Sequence, residues 1–164
     1  MIPITVAIKI VLQHSPKLET ESVSLGDALS RILAEDIVAD SDLPPFDRAQ
    51  MDGYAVRAAD TANPPTRLRI VGESAAGAGW HQEMKAGEAV RIMTGAPVPA
   101  GADAVQQVEL TREVDGGGVV EILESVEASR SIVRQAAEIK AGETVLYAGE
   151  EINAAMIATL ASFG

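Results

Sequence analysis

Residues 43–60 read Leu43-Pro44-Pro45-Phe46-Asp47-Arg48-Ala49-Gln50-Met51-Asp52-Gly53-Tyr54-Ala55-Val56-Arg57-Ala58-Ala59-Asp60. Pro44 and Pro45 fix φ and remove two backbone donors, so the entry is stiff and extended. Gly53 after Asp52 offers the positive φ of a tight turn. Tyr54, Ala55 and Val56 read as the start of a strand. The stretch therefore presents Asp47, Arg48 and Asp52 rigidly at the edge of a sheet. A plain β-turn with a solvated Asp52 fits the same spacing, and spacing alone leaves both readings open.

Downstream the chain reads as β. Residues 67–71 alternate, with Leu68 and Ile70 on one face; residues 89–93 do so with Val90 and Ile92. Residues 104–110 place Val105 and Val108 in a third strand. Residues 113–120 read as a hairpin turning at residues 115–118, closed by residues 122–126. Regular Gly and Pro punctuation marks an all-β unit over residues 46–126. Lys85-Ala-Gly-Glu-Ala-Val90 recurs as Lys140-Ala-Gly-Glu-Thr-Val145. Both copies read as a turn followed by a strand, a reused hairpin entry rather than a duplicated domain.

Upstream, residues 5–13 predict a short helix with an unusually broad apolar face. Val23 and Leu25 suggest the end of a short strand. Leu25, Ala28, Leu29, Ile32 and Leu33 follow helical spacing, and Ser24 with Asp27 resembles a capping box. A helix over residues 25–33 is expected. Ile37 and Val38 are extended between acids (Glu35, Asp36, Asp40, Asp42) that read as a solvated edge rather than a metal site. At the other end Asn153 is a good N-cap for a helix that is apolar nearly all round, with Gly164 where it would stop. That helix implies a partner or further chain covering it.

The composition narrows function. Of 164 residues, 47% are hydrophobic but only 3% aromatic, so Val, Ile, Leu and Ala must build the core. The net charge of −11 gives no basic footprint for nucleic acid. With no cysteine, disulfides and thiolate chemistry are excluded. His14 and His81 show no ligand spacing. No basic leader or membrane-length apolar run is present, so no membrane role is expected and the expected location is the cytoplasm.

The opening stretch, taken with Arg91-Ile-Met-Thr-Gly-Ala-Pro-Val-Pro-Ala-Gly-Ala-Asp-Ala-Val105, resembles the molybdopterin molybdenumtransferase family, which includes bacterial MoeA and the E domain of gephyrin. The resemblance runs along essentially the whole chain. It implies an α+β, β-rich fold: a small mixed α/β domain (residues 1–41 and 139–164) interrupted by a β-rich domain (residues 42–138). Later pterin-binding and barrel domains would follow beyond Gly164. It implies insertion of molybdate into adenylated molybdopterin with release of AMP, a requirement for Mg²⁺, and a homodimer with a shared cleft. The molybdopterin adenylyltransferase is a candidate partner. The alternative is a non-catalytic dimerisation module of the gephyrin E type.

The resemblance also implies a site. Asp52 matches the acidic position of Met-Asp-Gly-Tyr and could hold Mg²⁺, a cation that prefers hard oxygen ligands. Thr94 matches the hydroxyl of Thr-Gly-Ala-Pro and could donate to an oxyanion. Asp47, Arg48 and Gly95 flank them as substrate-binding candidates. Arg134 and Glu138 stand where relatives carry an Arg, two residues, then Gly-Glu-Asp. Here Ala136, Ala137 and Glu138 replace that triplet, which implies a lost tight turn and a longer acidic arm. Arg48 replaces a common Asn, free to meet phosphate or to pair with Asp47.

Overall fold

The structure, a computed structural model, describes residues 2–16 and 18–163. Among the described residues, two α-helices and ten strands make it α+β and β-rich. The strands are β1 (Ile37–Val38), β2 (Arg48–Ala49), β3 (Gly53–Val56), β4 (Thr66–Ser74), β5 (Glu88–Ile92), β6 (Ala104–Gln107), β7 (Thr111–Val114), β8 (Val119–Ile122), β9 (Ile132–Val133) and β10 (Thr144–Leu146). The helices are α1 (Ile4–His14) and α2 (Ala154–Ser162). The chain divides into two compact units, Met1–Ile37 with Val145–Gly164 and Val38–Thr144. The sequence reading placed these crossings at 41/42 and 138/139. Among the described residues no helix is long and apolar enough to cross a membrane.

The larger unit is built on a six-stranded sheet of order β6-β3-β5-β4-β8-β7. Strand β3 is buried along its whole length because successive side chains enter opposite cores. Ala55 joins Val90, Ile92, Val105 and Ile132 on one side. Tyr54 and Val56 join Leu68, Val120 and Ile122 on the other. These cores are aliphatic, as the composition requires. Gly53 is not the turn residue expected from Asp-Gly. It lies inside β3, where a Cβ would come 2.0 Å from the Gln106 carbonyl oxygen, so close strand approach demands glycine.

Sequence expectations hold for most of this sheet. Residues 108–110 depart from it: they leave β6 as a 3₁₀ turn, Val108–Leu110. That turn leads from one edge strand to the other. The sheet curls until the Tyr54 hydroxyl donates to Glu113 Oε1 on β7 at 2.5 Å. The hairpin of β7 and β8 turns at residues 115–118 with Val114 opposite Val119. Its second strand ends at Ile122, so residues 123–126 do not extend it.

The Ala-Gly-Glu echo is a real device, and it occurs three times. Lys85, Lys140 and Tyr147 each begin a turn whose Gly takes a positive φ: Gly87 (74°), Gly142 (86°) and Gly149 (90°). The Glu amide donates to the first residue's carbonyl, and its carboxylate accepts that residue's amide, as in Tyr147 N–H to Glu150 Oε2 at 2.9 Å. The third copy escapes a search for Lys because its first residue is Tyr.

In the smaller unit, α2 begins as read: Asn153 Oδ1 accepts from the Met156 amide at 3.0 Å. Gly164 lies outside the described residues. Ala28, Ile152 and Met156 form a core with Leu33, Leu146, Ile157 and Leu160 beside it. The helix expected over residues 25–33 does not form. Leu25–Asp27 make one 3₁₀ turn, and Ser24 donates to the Asp27 side chain. Ser30 then takes φ +61°. The Ser30 and Leu33 amides donate to Ile152 and Glu150 carbonyls instead, so backbone pairing overrides helical periodicity. Val23 is not in a strand. Helix α1 (Ile4–His14) forms where residues 5–13 predict it, and none of its residues is buried.

Candidate functional site

The two motifs of the sequence reading are zipped together along the backbone. Ala49 N–H donates to Ala96 O at 3.0 Å, Gly95 N–H to Ala49 O at 2.9 Å, and Val98 N–H to Asp47 O at 2.8 Å. On its other side β2 pairs with β9, Arg48 opposite Val133. Residues 47–49 thus run between the Thr94 loop and the segment leading to Arg134.

At the end of the zip stands Asp52. Its Oδ1 accepts from the Thr94 amide at 2.7 Å and from the Thr94 hydroxyl at 2.8 Å. Those two donors, with the Arg91 charge nearby, hold its carboxyl below the usual range. Asp52 is exposed, and among the described residues its Oδ2 takes no hydrogen bond. The Thr94 proton expected for an oxyanion is committed to Asp52, leaving the hydroxyl oxygen as an acceptor. Gly95 has φ +80° with open space at its Cβ position. Its glycine serves the turn rather than close approach by a neighbour.

No group of three or more His, Asp or Glu side chains among the described residues is placed to hold a metal. The residues present fit Mg²⁺ only as a substrate-borne ion met by one carboxylate oxygen, a usual arrangement where phosphates supply the remaining ligands. Within the acid run, Asp36 and Asp42 are turn caps, accepting from the amides of Ala148 (2.8 Å) and Ala141 (2.9 Å).

Asp47 anchors the other side. Its Oδ2 accepts from Arg134 Nη1 at 2.5 Å and its Oδ1 from the Gln135 amide at 2.8 Å. Partial burial raises its carboxyl, and the Gln135 and Arg134 donors outweigh that and lower it. Arg134 also donates to Ser129 Oγ at 2.7 Å. Arg48 does not pair with Asp47. Its Nη2 donates to Glu138 Oε1 at 2.9 Å.

The tight turn that the Ala136-Ala137-Glu138 replacement seemed to remove is present. Ala136 takes φ +58°, and Ala137 N–H returns to Arg134 O at 3.1 Å. The loop is fastened to the stiff entry by Ala136 N–H to Pro44 O and Glu138 N–H to Leu43 O. An alanine therefore adopts a conformation that glycine would take without strain.

The sequence reading missed Asp42 and Gln135, which pair at 2.8 Å between Oδ2 and Nε2 and tie the loop down. Arg91 is a further such residue. Alternation along β5 was the available signal, since Arg91 is exposed between buried Val90 and Ile92. All seven site candidates lie in the larger unit; three side-chain contacts pair six of them, Asp52 with Thr94, Asp47 with Arg134, and Arg48 with Glu138, and Gly95 is held by its amide to the Ala49 carbonyl.

A family described as the MoeA N-terminal region (domain I and II) matches residues 2–164. The chain belongs to this family. Among MoeA relatives, the molybdopterin molybdenumtransferase of Bacillus subtilis (strain 168) is 39% identical over 169 residues, covering 99% of this chain and 39% of the relative. The enzyme of the same name from Staphylococcus epidermidis (strain ATCC 12228 / FDA PCI 1200) is 37% identical, covering 99% and 40%. The crystal structure of the molybdopterin biosynthesis MoeA protein from Pyrococcus horikoshii OT3 is 36% identical with a TM-score of 0.90, covering 100% of this chain and 44% of that one. The chain thus spans about two-fifths of the length of the curated relatives it matches.

Proposed function

We propose that this chain supplies the β-rich side of a molybdate-insertion site in a cytoplasmic molybdopterin molybdenumtransferase acting in molybdenum cofactor biosynthesis. The substrates would be adenylated molybdopterin and molybdate, with AMP released. A homodimer would complete the cleft, and the adenylated pterin would arrive from the molybdopterin adenylyltransferase.

The observation that carries this reading is the Asp52–Thr94 junction, where two distant motifs meet and leave one carboxylate oxygen free. Asp52 Oδ2 is the group that would meet Mg²⁺ carried on the substrate's phosphates. Bound there, Mg²⁺ would neutralise phosphate charge. Thr94 fixes the Asp52 rotamer with two donors, so the free oxygen keeps its direction without reorganisation. The low carboxyl pKa keeps Asp52 ionised at neutral pH. Asp47, Arg48, Arg134 and Glu138 present charges that exchange partners with an anionic ligand, and Gly95 keeps the loop low beside it.

The test uses the full-length protein with adenylated molybdopterin, molybdate and Mg²⁺, and reads AMP release. Turnover that falls about a hundredfold or more in Asp52→Asn, as expected for loss of a positioned charge, supports the reading. Undiminished turnover in that variant overturns it.

A further inference from the structure

Beyond these seven residues, one cation stands at the same end of the sheet without a role. Arg91 lies opposite Tyr54 in the β3–β5 register. Asp52 immediately precedes β3, two residues before Tyr54. Thr94, three residues beyond Arg91, donates its amide and its hydroxyl to Asp52 Oδ1 at 2.7 and 2.8 Å, which ties the Asp52 and Arg91 segments together at this end of the sheet.

The manner in which Arg91 is held is informative. Its Nη1 donates to Glu113 Oε1 at 3.0 Å, and the same oxygen accepts the Tyr54 hydroxyl at 2.5 Å. Tyr54 is 1% exposed. Its hydroxyl donates to Glu113 from within the core. A buried group thereby fixes Glu113, and Glu113 fixes one nitrogen of Arg91. Among the described residues the remaining guanidinium nitrogens have no partner, and the side chain is 46% exposed. An exposed ion pair contributes little to stability. A guanidinium held by one corner, with free donors beside a carboxylate, matches the planar fork that tetrahedral oxyanions take in two hydrogen bonds.

We infer that Arg91 is a further substrate-contact residue of the Asp52–Thr94 site, offering its free guanidinium edge to a tetrahedral oxyanion, with Glu113 and Tyr54 as its positioning residues. This rests on the proposed transferase reading. The oxyanion is either the substrate's phosphate or molybdate, which share this chemistry. Arg91 and Asp52 act as a pair of opposite sign, the cation for the anion and the carboxylate for its counter-ion.

The experiment measures kcat and KM of the full-length protein separately for molybdate and for adenylated molybdopterin, alongside thermal unfolding. Arg91→Ala is expected to raise KM for one of the two about tenfold or more, the loss of one charge-assisted contact, with Tm unchanged. The substrate affected identifies the oxyanion. Arg91→Lys should recover part of the loss by keeping the charge without the fork. Glu113→Gln should raise the same KM by less. Unchanged KM values in Arg91→Ala overturn the inference, as does a loss of activity matched by a fall in Tm and not relieved by lysine. Asp52→Asn, assayed in parallel, separates the two claims. If it is fully active, the transferase site itself fails. If it is impaired while Arg91→Ala is normal, only the Arg91 inference fails.

Discussion

Arg48 and Glu138 form an ion pair at 2.9 Å, so the two side chains act as one unit. Arg48→Asn alone strands Glu138, and Glu138→Asp alone shortens the reach. Turnover of the full-length protein should therefore fall in each single variant, and the double variant should be no more impaired than the worse single variant. Additive losses would separate the two positions. The effect on stability should stay within about 1 kcal/mol, because both side chains are solvated.

Ala136 holds φ +58° in the turn fastened to Pro44. An L-residue there costs about 1–2 kcal/mol, and glycine returns part of that through a more flexible unfolded chain. Ala136→Gly should stabilise the protein by roughly 0.5–1 kcal/mol, read as a rise in denaturation midpoint with unchanged slope.

Gly53 gives the opposite result. A methyl group 2.0 Å from the Gln106 carbonyl oxygen has no room between two paired strands. Gly53→Ala should destabilise by about 3 kcal/mol, the upper end for overpacking. A midpoint near wild type would contradict the register of β3 with β6.

Acid should loosen the larger unit. The carboxyls of Asp42, Asp47, Asp52 and Glu121 are all lowered by their donors. Their stabilisation is present above the ordinary values of 3.8 and 4.5 and is lost as pH falls through the lower folded values. For Glu121 the donors are Arg112 first and then Arg67. Glu121→Gln should therefore lower Tm at neutral and alkaline pH, where that stabilisation is present, and so flatten the acid limb of Tm against pH.

Tyr54 titrates late. Of the two tyrosines, its phenol is held up to about 12. Its contribution to stability is complete below 10.0, the ordinary value, and is lost as pH rises through the folded value. Phenolate absorbance should show a late step that Tyr54→Phe removes.

Much of this was legible in the chain. Alternation marked the strands of the sheet because their side chains feed two cores. The Asn153 cap was readable because it is local. What failed was set by distant partners. The Leu25–Leu33 pattern is helical in period, yet Ile152 and Glu150 take its amides. Asp-Gly at 52–53 suggests a turn, yet Gln106 decides Gly53. Of the site, the resemblance named the residues but not the contacts. Thr94's proton goes to Asp52 and Arg48 goes to Glu138, and neither pairing has a sequence signature. Arg91 had a signal in the alternation of β5, where it is the exposed residue between buried Val90 and Ile92.

The central claim is that Asp52 and Thr94 work as one unit, and a double-mutant cycle on turnover tests it most directly. With kcat/KM measured for wild type, Asp52→Asn, Thr94→Ala and the double variant of the full-length protein, the double variant should be about as impaired as the worse single variant. Losses that multiply across the two changes would mean that the junction between them plays no part in the reaction.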